Sequence, residues 1–170
     1  MHAWDVVLAT DGSVGALKAA AWVDANFGNS GARVHLVSVV GVSTFEPQAS
    51  ARGLVYNPIW STAPVLEAAW DRALKRAQEA LSQTARLLTH VKVVQEVLQH
   101  PKPADAILQY AKAHHADMIV IGRRGHSRLG TIIGSVSFAV VQQSPIPVTV
   151  VGAFPIWDVS VADGRGKELT

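Results

Sequence analysis

Short apolar runs recur along the chain and alternate with segments whose apolar residues return every three or four positions. The runs are rich in valine, isoleucine and leucine. Strands that are apolar almost without interruption are typical of a parallel sheet covered by helices on both faces. The sequence therefore predicts five buried strands: Trp4–Thr10, Val34–Val40, Val91–Val97, Met118–Gly122 and Val148–Val151.

The segments between the runs have helical spacing. The first predicted helix ends at Gly28, the second covers about Ala63–Leu88, the third starts at Pro103 and the fourth stops near Ser144. Strands and helices thus alternate from the first strand to the fifth. With right-handed crossovers, this order predicts an α/β fold, a three-layer doubly wound parallel sheet.

Two segments fall outside the alternation. The stretch 41–61 contains prolines, glycines and aromatic residues, and we interpret it as a long loop. A loop of this length is either a lid or interface, or a tolerated insertion. Residues 154–170 turn polar and glycine-rich, which predicts a loosely held tail behind a domain spanning 1–153.

Composition narrows the classes of function. The chain has 170 residues, 49% of them apolar, and a formal net charge of +2, which gives no sign of nucleic-acid binding or of a polybasic membrane anchor. It has no cysteine, which excludes disulfides and thiol catalysis. No apolar stretch approaches the roughly 20 residues of a membrane helix, and no signal peptide is recognisable. These features predict a cytoplasmic protein.

The strongest chemical signal lies between the fourth strand and the fourth helix. Residues 121–136 carry four glycines, and Gly134-Ser135 precedes the helix. Glycines allow main-chain N–H groups to approach an anion and permit positive φ angles, and a helix start adds unpaired donors. Ser135 would then either donate to a phosphate or only cap its helix. The stretch lacks the lysine of a P-loop, and the chain has no G-x-G-x-x-G and no G-x-S-x-G.

A second signal is Ala9-Thr10-Asp11-Gly12-Ser13, at the end of the first strand. Asp11 is either a turn residue that bonds its own backbone or a carboxylate that holds a ligand or a hydrated metal. Ser13 is a candidate N-cap of the first helix. Ligands of doubly wound sheets bind beyond the carboxyl ends of the strands, where the winding direction reverses. If the first and fourth strands are neighbours, Asp11 and Gly122 meet there.

These segments together resemble the universal stress protein family. The resemblance covers most of the chain, through 6–13, 34–39, 103–108, 116–122, 134–137 and 147–151. It implies a Rossmann-like sheet of the adenine nucleotide alpha hydrolase type, with strand order 3-2-1-4-5. The ATP-binding branch of the family carries Gly-x2-Gly-x9-Gly-Ser/Thr. Here eight residues separate Gly125 from Gly134, one fewer than in that pattern.

Transferred by position, the resemblance implies an adenine nucleotide, with ATP as the first choice, and a Mg²⁺ or Mn²⁺ ion bridging its phosphates. Adenine would lie against Asp11 and Val39, Ala9 and Gly122 would flank the ribose, and Thr10 is a further candidate for binding the nucleotide. Four residues would hold the phosphates: Gly125, Gly134, Ser135 and Val136. Arg123 is a candidate for neutralising their charge.

The resemblance also implies a homodimer that pairs through the edge strand Val148–Val151. The predicted function is a nucleotide-binding regulatory or protective module of the stress response, because no general base or nucleophile stands beside the proposed phosphates. One alternative is a slow ATPase or nucleotidyl transferase, for which His126 is the only candidate base. The other is a nucleotide-free interaction module.

Overall fold

Strands and helices alternate along the whole described chain, in a computed structural model that describes residues 3–41, 63–123 and 133–152. The elements are β1 (Asp5–Ala9), α1 (Val14–Phe27), β2 (Arg33–Val40), α2 (Ala63–Ala85), β3 (Lys92–Gln99), α3 (Pro103–Ala113), β4 (Met118–Gly122), α4 (Ser135–Gln143) and β5 (Val148–Val151). The predicted tail at 154–170 and, apart from Gly41, the predicted loop at 41–61 lie outside the described residues.

The five strands form one parallel sheet in the order β3-β2-β1-β4-β5. This confirms both the fold class and the strand order. The chain builds outward from β1 to β3 and then returns to the other side of β1 to place β4. The reversal therefore lies between β1 and β4, and Ala9 is the register partner of Ile121 there.

Two apolar layers cover the faces of the sheet, because neighbouring residues of a strand point to opposite sides. Val6 and Leu8 pack against α1 and α2 on one face. Val7 and Ala9 pack against α3 and α4 on the other. The prediction of three layers is thus confirmed.

The expectation of strands buried on both faces is wrong at the edges of the sheet. Most residues of β1, β2 and β4 are buried, whereas β3 and β5 are largely exposed or half-buried. Val94 of β3 is 44% exposed although it belongs to an apolar run. An edge strand has a neighbour on one side only, and a valine there can face solvent.

Gly28 ends α1 as predicted, but for a reason other than a left-handed conformation. Its φ is −54°, which any residue can adopt. A Cβ at this position would lie 2.6 Å from the Cβ of His90, so glycine makes room for the turn before β3. Asp24 holds the same turn by accepting bonds from the backbone N–H of His90 at 2.8 Å and from its ring at 2.7 Å. Burial raises the pKa of Asp24, but the bonds from His90 and Thr89 outweigh it and leave the pKa below its ordinary value.

The second helix stops at Ala85, three residues before the predicted end. Beyond it, Leu87 N–H donates to Thr84 and Leu88 N–H to Ala85, each to a carbonyl three residues back, which is the tighter winding common where helices end. Within the described residues, no helix combines the length and the apolar character needed to span a membrane.

Candidate functional site

A cleft of about 320 Å³ opens beyond the carboxyl ends of β1 and β4, at the point where the winding reverses. Small-molecule sites usually occupy about 300–1,000 Å³. Fourteen described residues line the cleft: Ala9, Thr10, Asp11, Ala16, Val37, Val39, Pro103, Ile107, Ile121, Gly122, Gly134, Ser135, Val136 and Ser137.

Most of the residues predicted for the site come together here. Eight line the cleft: Ala9, Thr10, Asp11, Val39, Gly122, Gly134, Ser135 and Val136. Arg123 follows directly after β4 and is not among the lining residues, and its Cδ lies 3.8 Å from the point where a Cβ on Gly152 would stand. Gly125 and His126 lie outside the described residues. What any of these residues binds stays a prediction.

Asp11 lies in a tight turn that bonds to itself. Its Oδ1 accepts from Ser13 N–H at 3.0 Å, as the turn interpretation expected. Gly12 has φ +75°, a conformation that favours glycine. Ser13 caps α1 by accepting from Ala16 N–H at 3.3 Å, which confirms the predicted cap. Asp11 is nevertheless exposed and lines the cleft, so the same residue stabilises the turn and contributes to the cleft.

The hydroxyl of Thr10 is committed to the fold. Thr84 Oγ1 donates its single hydrogen to Ala80 O at 2.7 Å, so in the 2.7 Å contact between the two threonines Thr10 must be the donor. Thr10 Oγ1 in turn accepts from Gly12 N–H at 3.1 Å. This relay ties the turn after β1 to the buried face of α2. Thr10 therefore has no hydroxyl hydrogen left for a ligand in the cleft.

Gly122 is a glycine because α1 passes close to it. A Cβ here would lie 2.5 Å from the carbonyl carbon of Gly15 and 2.8 Å from the nitrogen of Ala16. The expectation that glycines of this segment serve positive φ angles is also wrong at Gly134, whose φ is −62°. Among the described glycines, the positive φ angles belong to Gly12 and Gly31.

The start of α4 presents main-chain donors to the cleft. Gly134 is the N-cap and forms no side-chain cap bond, and Ser135 is already the first helical residue. The interpretation of Ser135 as the cap is therefore wrong. The N–H groups of Ser135, Val136 and Ser137 have no partner four residues back within the helix. With the positive end of the helix dipole, they form a setting that favours an anion.

Ser137 fixes this helix start, and sequence reasoning did not single it out as a site residue. Its buried hydroxyl lies 3.0 Å from Gly122 O and 3.2 Å from Arg123 O, so one hydrogen is shared between the two carbonyls. Gly134 N–H donates to Arg123 O at 2.9 Å. The end of β4 and the start of α4 are thus pinned together on both sides of residues 124–132.

The opposite wall of the cleft is apolar. Val37 and Val39 contribute it from β2, and Pro103 and Ile107 from the first turns of α3. Sequence reasoning assigned Val39 to the site but missed the other three. The start of α3 at Pro103 was a usable signal, because helices of a doubly wound sheet begin at the edge where the strands end.

Chemically, the cleft has few ionisable groups. Asp11 is the single ionisable side chain among the lining residues that the structure describes. Across the described part of the chain, no three His, Asp or Glu side chains are grouped so that they could hold a metal ion. A divalent ion at this cleft would have to take most of its ligands from a bound phosphate chain and from water. The arrangement suits a ligand with an apolar part and an anionic part.

Comparison with known proteins links this architecture to one family. The family model described as "Universal stress protein family" matches residues 5–152. A Thermus aquaticus protein, named as a universal stress protein in the QAH/OAS sulfhydrylase 3'region, is 36% identical over 147 residues, which cover 86% of this chain and 96% of the relative.

Solved structures share the fold at lower identity. The universal stress protein UspA from Lactobacillus plantarum has a TM-score of 0.67 and 22% identity, with 89% of this chain and 99% of that chain covered. A universal stress protein from Archaeoglobus fulgidus, solved in complex with dAMP, has a TM-score of 0.60 and 21% identity, with 88% and 98% covered.

Proposed function

Because the chain belongs to the universal stress protein family, we propose that its cleft binds an adenine nucleotide and that ATP is its principal ligand. The observation that carries this proposal is the division of the cleft into an apolar wall and a set of main-chain donors at the start of α4. A nucleotide has the same division between its base and its phosphates. The Archaeoglobus fulgidus relative with this fold was solved with dAMP, which supports the choice of adenine.

In this proposal the base packs against Val39 on the apolar wall, with Asp11 at its polar edge. The ribose lies over Ala9 and Gly122, where the strands end. The phosphates reach the N–H groups of Ser135 and Val136. Mg²⁺ or Mn²⁺, when present, bridges phosphate oxygens and neutralises part of their charge.

The bound nucleotide acts as a signal or a protective ligand rather than as a substrate for rapid turnover. The described lining contains no histidine and no second carboxylate that would activate water near the start of α4. Asp11 sits at the other side of the cleft and already accepts a bond from Ser13. The proposed role is therefore that of a regulatory module of the stress response.

Calorimetric titration with ATP, AMP and cyclic AMP tests the proposal on the wild type and on Gly134→Val. The backbone at Gly134 suits any residue (φ −62°, ψ 152°), so this variant should fold. A valine at the rim of the cleft should weaken binding at least about tenfold, or about 1.4 kcal/mol. The matched control is Gly152→Val, outside the cleft lining, where a Cβ would meet its nearest neighbour among the described residues, Arg123 Cδ, at an ordinary 3.8 Å.

Equal ATP affinity in Gly134→Val and the wild type would disprove the assigned phosphate site. Protein purified without added ligand should release adenine nucleotide on denaturation. If it releases none and binds none in the titration, the nucleotide-free interaction module replaces the proposal. Steady-state assays with Mg²⁺ or Mn²⁺ that show rapid ATP turnover would instead identify an enzyme.

We further propose a homodimer that forms through β5. Val148, Thr149 and Val150 are only half-buried at the edge of the sheet, and an unpaired edge is a template for another strand. On the adjoining α4, Phe138 is 56% exposed and Val141 46% exposed. Light scattering should give twice the 18.1 kDa of one chain, and Phe138→Lys should shift the protein toward the monomer. A wild type that stays monomeric at high concentration would contradict this arrangement.

A further inference from the structure

A buried threonine on α2 is connected to the cleft although it does not line it. Thr84 is fully buried and is not among the lining residues. Its Oγ1 accepts from the Thr10 hydroxyl at 2.7 Å and donates to Ala80 O, also at 2.7 Å. Thr10 does line the cleft. A residue outside the cleft therefore fixes the side chain of a residue in its lining.

Asp11 stands between two residues that are held by hydrogen bonds. On one side, Thr10 N–H donates to Val37 O at 2.9 Å, and the hydroxyl of Thr10 is bound to Thr84. On the other side, Gly12 N–H donates to Thr10 Oγ1 at 3.1 Å. A displacement of the Asp11 backbone therefore requires that one of these bonds opens.

The helix α2 supports the same turn by close packing. A Cβ built on Gly12 would lie 3.2 Å from the Cβ of Ala80, closer than ordinary van der Waals contact. The φ of Gly12 is +75°, which suits glycine. Ala80 and Thr84 lie one turn apart on the same face of α2. One face of this helix thus holds the turn through both packing and hydrogen bonds.

The hydrogen bonds of this chain depend on one another. Without the hydroxyl of Thr84, the hydroxyl of Thr10 would be buried and unpaired, since Thr10 is only 6% exposed. A buried polar group without a partner is costly, so the Thr10 side chain should rotate toward another partner. This rotation takes away the acceptor of Gly12 N–H and releases the turn that carries Asp11.

The other polar region of the cleft has a separate support. The start of α4 is held by bonds from Gly134 and Ser137 to two carbonyls at and just after the end of β4. Loss of the Thr84 hydroxyl should therefore displace Asp11 and leave the donors of α4 in place.

We propose that Thr84 is a positioning residue of the cleft, which acts through Thr10 and Gly12 to hold the Asp11 carboxylate at the polar edge of a bound base. The effect on affinity rests on the proposed nucleotide function, whereas the hold on the turn does not. In the proposed complex Thr84 does not touch the ligand. Its hydroxyl strengthens binding because the free protein already has the conformation that binds, so less order is gained at a cost on binding.

Calorimetric titration with ATP, at a temperature where every variant is folded, tests the effect on affinity. Thr84→Val should weaken binding about fivefold, within the range of coupling in one hydrogen-bond network. Thr84→Ser keeps the hydroxyl and should bind ATP as the wild type does. Val34→Ala is the matched control, because Val34 is fully buried near the opposite end of β2. Its truncation lowers stability but should leave affinity unchanged.

A double-mutant cycle shows whether Thr84 acts through Asp11. In the Asp11→Ala background ATP still reaches the donors of α4, and Thr84→Val should weaken binding much less than it does in the wild type. An equal loss in both backgrounds would overturn the assignment, as would equally weak binding by Thr84→Ser and Thr84→Val. A loss of the same size in Val34→Ala would overturn it too, because general loosening of the fold would then explain the effect.

A second readout needs no nucleotide. In NMR measurements on the free protein, the Gly12 amide should exchange about fivefold faster in Thr84→Val, as expected for the loss of one hydrogen bond. Thr84→Ser and Val34→Ala should leave this rate unchanged. If the wild type binds no adenine nucleotide, the proposed function and the effect on affinity fail, while this experiment still decides whether Thr84 holds the turn. A Gly12 rate that is unchanged in Thr84→Val would overturn the inference itself.

Discussion

The two polar parts of the cleft are built in opposite ways. At the end of β1, hydrogen bonds run from Gly12 through Thr10 and Thr84 to α2, and Asp11 binds the N–H of Ser13. At the start of α4, the N-cap residue has no side chain, and the first N–H groups have no partner within the helix.

This difference indicates a division of labour within the cleft. The turn after β1 is held in shape by its own hydrogen bonds. The start of α4 is a set of donors held in place from behind by Ser137. In the proposed complex, the phosphates would gain most from the second region and the polar edge of the base from the first.

The largest effect is expected at the joint between the two regions. Gly122→Ala places a Cβ 2.5 Å from the backbone of Gly15, where no flexible side chain can yield. The free energy of unfolding in urea should fall by about 3 kcal/mol. Gly152→Ala, whose nearest neighbour among the described residues lies at 3.8 Å, should change it by less than about 0.5 kcal/mol. Equal unfolding curves for the two variants would refute the close packing of α1 on β4.

The stability of the turn after β1 should depend on the buried hydrogen bonds that link Thr10 to Thr84 and Ala80. Thr84→Val keeps the shape of the side chain but removes the acceptor of the Thr10 hydroxyl and the hydroxyl donor to Ala80 O. Thr84 is fully buried, so the expected loss of stability is about 2 kcal/mol. Thr84→Ser retains the hydroxyl and should lose about half as much. If the serine variant is the less stable of the two, packing of the methyl group rather than the hydrogen bonds determines the stability at this position.

At the start of α4, Ser137→Ala removes one shared hydrogen bond. The expected loss of stability is about 1 kcal/mol, as for a single neutral bond. Affinity for ATP should fall as well, because the donors of α4 lose part of their support. The control is Ser144→Ala, at the other end of the same helix, which should leave affinity unchanged. An unchanged affinity in Ser137→Ala would show that Gly134 N–H alone positions the helix.

The smallest effect on stability is expected for Asp11→Asn. The amide oxygen of asparagine can still accept from Ser13 N–H, so the free energy of unfolding should change by less than about 0.5 kcal/mol. Any loss of nucleotide affinity in this variant then reports on the ligand rather than on the turn. A clear loss of stability would show that the charge of Asp11 supports the start of α1.

Features of the fold and the site could be predicted from the sequence where they depend on residues close together in the chain. The alternation of apolar runs and helical stripes predicted all nine elements, and the family resemblance supplied the strand order that the structure confirms. The cap at Ser13 and the turn at Asp11 are local patterns and were accessible. Thr84 and Ser137 were not, because each bonds to a residue that only the tertiary fold brings near.

Gly122 shows a second limit of sequence reasoning. A glycine in a loop that resembles an anion site invites a functional explanation, and the structure gives a packing reason instead. The exposure of β3 could not be predicted either, because the sequence does not distinguish a valine in an edge strand from one in a central strand. Position in the sheet, rather than hydrophobicity, decided which apolar residues are buried.

The hydrogen bonds from Gly134 and Ser137 to the carbonyls of Gly122 and Arg123 have a consequence for variation in chain length. These hydrogen bonds hold the start of α4 directly against the end of β4, so its position does not depend on the number of residues in between. We therefore expect the start of α4 to keep its register against β4 although the spacing between Gly125 and Gly134 is one residue shorter than the family pattern.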